Sequence, residues 1–385
     1  MASVQLFKDI EETPFRTKRP HRKGLKIVEK QSRPESESPD SSQSLVECEA
    51  SQTSDLRDPC GVLDTELAKH YFMHTAHTFA TSGACEEHSD VWRVFIPAVA
   101  LVCPVVRQGM LTLAAMSLHY DPAVHSSVDY LEVAEAHGKI FVRESRQKLQ
   151  HFAESPKAQD QDTVLACSRL LSVLGFAFFR AHRQNGITLA DPAAWTWLHL
   201  VRGVKPSYDA ANEIGKSIDE IILKDMAPKS LDWLSSHDPA IRQQSYYHYI
   251  QQTSQERFDA LHNLLDGHWS RFEEDKIEDL GAAIDMLDEV TQRVYTPQVH
   301  SLFRVLCTWP GAVPKNFVEM LLAGFLPALA VYAHWLMLVV LVEDLWWVGD
   351  WGRAGIRDVV AMCSEAEPDV QKLLMWPERM LSTMG

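Results

Sequence analysis

His70, His74 and His77 recur at i, i+4 and i+7, one face of a helix, with Glu66 one turn earlier. Imidazoles and a carboxylate at that spacing are donors of the kind a transition metal takes. No recognised metal motif surrounds them, so the simpler reading is a row of partly buried or exposed histidines, and no metal is assigned. Seven cysteines stand at 48, 60, 85, 103, 167, 307 and 363, none in CxxC spacing. They read as reduced, isolated thiols of an intracellular protein, neither a disulfide framework nor a thiolate cluster. HExxH, GxxxxGK[ST], GxSxG and DDxxD do not occur, so no zinc protease, phosphate-loop, serine-hydrolase or terpene-type centre is written in the chain. Gly349-Asp-Trp-Gly352-Arg-Ala-Gly355 is rich in glycine, but its spacing is wrong for a phosphate cradle and it reads as a turn between helices. The carboxylate pairs Glu86-Glu87 and Glu273-Glu274 are adjacent in sequence, so on a helix they diverge and are solvated. Nothing assembles a nucleophile, a base and an oxyanion site. The expectation is a non-enzyme without a cofactor.

The charge that does carry a chemical message is at the start. Residues 1–33 hold nine Lys/Arg against four Asp/Glu, a local +5 in a chain of net charge −15, which leaves −20 for the remainder. An acidic body repels phosphates. Lys18, Arg19, Arg22, Lys23 and Lys26 are therefore the expected nuclear-localisation or phosphate-contact residues, with a solvated tail as the simpler reading. Residues 34–58 follow with Ser, Glu, Pro and Gln and no aromatic residue. Such a stretch has too little apolar surface to offset its ordering entropy, so residues 1–62 read as a disordered basic arm and linker. The first residues lack the apolar core of a secretory signal.

From Leu63 onward apolar residues recur at helical spacing, and no period-2 strand set or fixed repeat is seen. The fold class expected is all-α, one large helical regulatory domain over 63–385. The first helix is predicted from Asp64 to about Phe79, capped by Asp64 or Thr65, with Leu67, Tyr71 and Phe72 on its apolar face. Pro97 should break or restart the segment Val91–Leu101. Pro104 opens a helix to Tyr120, Tyr130–Phe152 is amphipathic, and Leu165–Ala181 is apolar enough to be central. Asp191-Pro192 caps a helix stopped by Gly203, residues 205–295 read as polar-faced helices, Trp309-Pro310 is a break, and Pro314 starts the next helix. The run Leu321–Val342 has 22 residues and no formal charge. By hydropathy it is a transmembrane candidate. Pro327 and His334 interrupt it, and no basic cluster follows to fix a topology, so a buried helix at the centre of the domain is the expectation. A helical protein anchored in a membrane by 321–342 is the alternative.

Length and composition agree with a sizeable core: 385 residues, 46% hydrophobic, 11 Trp. Aromatic anchors crowd the last third, at Trp309, Tyr332, Trp335, Trp346, Trp347, Trp351 and Trp376. Most should be core, and helices this rich in Leu, Trp and Met could also enclose an apolar ligand.

Three sets of residues carry a resemblance. They are Trp92-x-x-x-Ile96-Pro97 followed by CPVVRQGMLTLAAMSLHYD at 103–121; Trp195-x-Trp197-Leu198-x-x-x-Arg202-Gly203-Val204; and FRVLCTWPGAVPKNFVEML at 303–321 with Trp346-Trp347-x-x-x-Trp351-Gly352. In this order, over about residues 63–380, the chain resembles the regulatory domain of fungal zinc-cluster transcription factors, in the branch of sterol-uptake-control proteins and regulators of secondary-metabolite genes. That family reads DNA with an N-terminal cluster of six cysteines on two zinc ions, typically behind a basic lead such as Lys18–Lys23. Here the lead is present, but no cysteine follows until Cys48 and then Cys60. The resemblance thus implies a nuclear transcription regulator without its own zinc-dependent base readout. It would act through a coactivator or a second copy of itself, with DNA met indirectly or weakly through the arm. Members of the sterol branch bind a sterol in this domain. An apolar small-molecule site in this chain is expected among Phe325, Leu329, Tyr332, Trp335 and Leu336, where aromatic residues are dense beside an uncharged helix. Membrane contact is not expected.

Overall fold

The computed structural model describes residues 61–81, 91–124, 126–204, 252–268, 274–295 and 302–384. The basic arm and linker, and the sequence readings on 205–251 and on both carboxylate pairs, lie outside the described residues or their side chains.

Among the described residues the secondary structure is helical, with no strand. The all-α expectation holds. Helix α1 joins Val62–His70 and Ala76–Thr81 through a π-helical turn at Tyr71–Thr75. Its cap is Gly61 at φ 65, not Asp64 or Thr65; Thr65 Oγ1 instead donates back to the Gly61 carbonyl at 2.9 Å. Leu67 and Tyr71 are buried as expected, but Phe72 is 47% exposed. The π turn rotates less per residue than an α turn, so the buried stripe runs through Tyr71, Thr75, Ala76 and Phe79 and leaves Phe72 outside.

Helix α2 is a π turn, Val91–Phe95, continued by Ile96–Val102. Pro97 is the second residue of the α portion and restarts the helix there, its missing N–H falling where the bonding changes from π to α turns. Pro104 likewise opens α3, Pro104–Tyr120. Asp129 caps α4, Tyr130–Glu154, accepting from the Leu131 and Glu132 N–H groups at 3.0 and 3.2 Å. Helix α5, Gln161–Gln184, is the central element: Val164, Leu170, Leu174, Phe176 and Phe178 are all buried. The segment Ala158–Gln184 is long and apolar enough to cross a membrane, and 83% of its apolar window is buried inside the protein. Asp191 accepts from the Ala193 N–H at 2.8 Å and starts a 3-10 turn, Pro192–Trp195, that leads into α6, Thr196–Gly203.

Helices α7, Ser254–His268, and α8, Glu274–Tyr295, lead to α9, Leu302–Ala312. Trp309-Pro310 was expected to break the chain, yet α9 runs through it. Proline removes its own N–H, and only two residues of helix follow, so one missing bond near the C-terminus is tolerated. Arg202 of α6 also steadies this end, its Nη1 donating to the Pro310 and Val313 carbonyls at 3.1 and 2.7 Å. Two of the segments that carry the resemblance are therefore joined by a side chain.

The run Leu321–Val342 is not one helix. Helix α10, Lys315–Leu322, ends at a turn with Gly324 at φ 68, and α11, Leu326–Val340, leaves at 102° to it. Gly324 adopts the left-handed conformation that ends helices, and Pro327 is accommodated in the first turn of α11. Every residue from Pro327 to Val340 is buried. Fifteen residues make a helix of about 22 Å, shorter than the ~30 Å hydrocarbon core of a bilayer.

Helices α12, Trp351–Met362, and α13, Pro368–Met384, close the domain over α11. Of the glycine-rich segment only Gly349 lies in a turn, at φ 56; Gly352 and Gly355 are inside α12. A Cβ on Gly352 would stand 2.8 Å from the Val340 nitrogen and 3.0 Å from the Leu336 carbonyl. Glycine here lets the α12 backbone lie directly on α11, which is why the segment is helix and not loop.

Candidate functional site

The tryptophans spread along the sequence meet in one place. Trp335 of α11 stacks on Trp197 of α6 at 5.5 Å, on Trp309 of α9 at 5.6 Å and on Tyr332 at 5.4 Å. Trp351, at the start of α12, sets its ring nearly perpendicular to Trp197, Trp335 and Phe176 at 4.8, 5.6 and 4.6 Å. Trp195 leans on Tyr332 at 5.1 Å. Stacked and edge-to-face pairs at these separations each add about 1 kcal/mol beyond the area they bury.

Polar edges fix parts of this cluster. Trp309 Nε1 donates to the Ala283 carbonyl of α8 at 2.8 Å, and Trp195 Nε1 to the Leu189 carbonyl at 3.0 Å. Three buried groups, Trp197 Nε1, Trp351 Nε1 and Tyr332 Oη, have no hydrogen-bond partner. Ring faces of neighbouring aromatics are weak acceptors at best, so these edges are where an acceptor oxygen would gain most. Burial holds the Tyr332 phenol well above its ordinary pKa, so it is a neutral hydroxyl that both donates and accepts.

A half-buried ion pair braces the cluster. Both Nη groups of Arg183, near the end of α5, donate to the Asp358 carboxylate of α12, and the Leu189 N–H donates to the same group at 2.8 Å. Arg180, one turn earlier, donates to the Trp346 carbonyl and lies over the Tyr120 ring at 4.1 Å. Trp346 Nε1 donates to Thr78 Oγ1 of α1 at 2.9 Å. The α5 C-terminal turn thus connects α1, α3, α12 and the 341–350 connection.

The five expected pocket residues are on or next to α11. Leu329, Tyr332, Trp335 and Leu336 are buried, and Phe325 is the half-buried cap of the helix. The structure brings Tyr332 and Trp335 into the cluster and sets Leu336 under Gly355, whose added Cβ would lie 2.9 Å from it. Trp197, Trp309 and Trp351 complete the arrangement and were not among those five, although each stood in a resemblance segment. Arg183 and Asp358 carried no sequence signal, because 175 positions separate them. Lys18, Arg19, Arg22, Lys23 and Lys26 lie outside the described residues.

His70 and His74 stack at 5.0 Å, and His70 Nε2 meets Ser117 Oγ at 3.3 Å. Among the described residues no group of three or more His, Cys, Asp or Glu is placed to hold a metal ion. Cys103, Cys167, Cys307 and Cys363 are free thiols. Burial pushes Cys167 up to about 12 and Cys363 to about 11, so both stay protonated and are poor nucleophiles near neutral pH.

Two buried histidines give the domain a pH dependence. His334 on α11 stacks on Trp376 of α13 at 5.5 Å and its Nε2 meets the Leu373 carbonyl at 3.0 Å. Burial, with the nearby Arg257 charge, lowers its pKa to about 3; burial lowers His182 to about 4. In the unfolded chain each would titrate near 6.5. Below that value the unfolded state binds protons that the folded state does not. Stability should therefore fall as the pH drops from about 6.5 towards 4, by up to about 1.4 kcal/mol per pH unit for each histidine. Urea unfolding at a series of pH values checks this, and His334→Gln should make the curve shallower.

A scan of the chain against protein-family models finds no match, and a search of curated proteins finds none.

Proposed function

We propose that the chain is a nuclear transcription regulator, acting on a secondary-metabolite or sterol-related gene set through its helical domain and a partner. The observation behind this reading is that the second and third resemblance segments, far apart in sequence, meet: Arg202 holds the Pro310 carbonyl, Trp197 packs against Trp351, and Trp197 and Trp309 both stack on Trp335. A coactivator or a second copy of the chain is the expected partner, and the basic arm supplies import and weak, salt-sensitive phosphate contact. The aromatic cluster is the place for an apolar small molecule carrying an oxygen acceptor, matched to the unpartnered edges of Trp197, Trp351 and Tyr332. Fractionation of cells that express the full chain tests the reading. Recovery from nuclei by salt supports it; recovery from membranes by detergent alone supports the membrane-anchored alternative. Sterols titrated against the purified chain should shift Trp emission and raise the melting temperature; no change in either counts against the ligand.

A further inference from the structure

Apart from Arg93, helix α2 is apolar on every side, yet only one side is covered. Trp92, Ile96, Pro97, Val99 and Ala100 are buried against the domain. The opposite face carries Val94, Ala98, Leu101 and Val102, at i, i+4, i+7 and i+8, and all four are exposed. Val94 is 60%, Leu101 82% and Val102 84% exposed. A surface helix normally turns polar residues outward, and an apolar stripe left open marks an interaction site. Its borders are cationic: Arg93 at one end and Arg107, one turn into α3, at the other, both exposed.

We propose that this stripe is the docking site for the chain's own N-terminal segment Val4–Glu12, VQLFKDIEE. Three features of the sequence fit. Val4, Phe7 and Ile10 recur at i, i+3 and i+6 with Leu6 beside them, the spacing of a helix that presents an apolar face to a groove. Asp9, Glu11 and Glu12 outnumber Lys8 and give the segment a charge opposite to Arg93 and Arg107. About 50 residues separate Glu12 from Gly61, a length of chain that can span roughly 40 Å, and Gly61 opens α1, which packs on α2 through the stacked Phe79 and Trp92 rings at 4.1 Å and the bond from Tyr71 Oη to the Trp92 carbonyl at 2.9 Å. A tether of this kind gives an effective concentration on the order of 1 mM, so a short segment of modest affinity suffices. A second copy fits less well, because antiparallel pairing of two α2 helices sets the arginine ends of one against those of the other. Docking covers the stripe against other partners. It stands independently of any role in transcription.

Amide hydrogen exchange on the full chain, at two protein concentrations about tenfold apart, tests the proposal. Residues 4–12 should exchange about tenfold more slowly than an unstructured chain, equally at both concentrations. Val94→Asp/Leu101→Asp should return them to the unstructured rate without lowering the melting temperature. Should that variant misfold, Phe7→Asp/Ile10→Asp tests the same contact from the other side and should restore fast exchange in the segment while exposing α2 to faster exchange. Unprotected residues 4–12 in the unmutated chain would overturn the proposal. So would protection that grows with concentration, which means a second copy, or protection that survives either variant.

Discussion

Trp335→Ala is expected to lower the free energy of unfolding by about 4 kcal/mol, read from urea denaturation followed by far-ultraviolet circular dichroism. Trp335 is wholly buried, and its ring is shared by helices α6, α9 and α11 through Trp197, Trp309 and Tyr332. Removing the indole takes away its transfer energy and also leaves a cavity whose walls are rigid rings, which collapse poorly. Trp335→Phe keeps part of the stack and should lose less than half as much. Because Trp197 and Trp335 are in contact, Trp197→Ala added to Trp335→Ala should cost less than the sum of the two single changes. Additive losses would mean that the rings do not form one packing unit.

Asp358→Ala is expected to cost about 3 kcal/mol or more. The side chains of Arg183 and Asp358 are only 13% and 15% exposed, so loss of the carboxylate leaves a guanidinium largely out of water and strands the Leu189 N–H as well. Breaking one member of a buried pair is worse than replacing both. The double change Arg183→Met/Asp358→Leu should therefore be more stable than Asp358→Ala alone. Thermal unfolding of the three variants decides this, and a double variant weaker than the single would show that the pair contributes net attraction in excess of its desolvation.

Helical periodicity made the architecture legible, and single residues made many of its ends legible. Pro104 at the start of α3, Asp191-Pro192 before α6 and Pro314 before α10 all stand where their chemistry predicts; the Asp129 cap of α4 emerges only from the structure. What periodicity did not reveal is where tertiary contact overrides a local signal. The uncharged run 321–342 offers no polar face from which to read a bend, and Gly324 alone among many apolar residues is a weak mark of one. Pro310 stays inside α9, whose end is held by Arg202 from over a hundred positions away. Gly352 and Gly355 looked like a turn because the same absence of a side chain serves loops and close helix crossings alike. The π turns of α1 and α2 have no local code that spacing detects, so spacing alone sets Phe72 on the apolar face. For the candidate site, residue type showed that aromatic packing would dominate the last third, and Tyr332 and Trp335 were named. Trp197, on α6, joins them from a distance that no pattern along the chain encodes.

The regulator reading is tested most directly by tethering. The full chain, fused to a heterologous DNA-binding domain, is placed upstream of a reporter gene in cells, and transcript is measured against the DNA-binding domain alone. The account predicts a clear change in reporter transcript, up or down, that is lost when Asp358→Ala disrupts the helical domain. A reporter that stays at the level of the unfused DNA-binding domain, with the fusion present in the nucleus at comparable abundance, would contradict it.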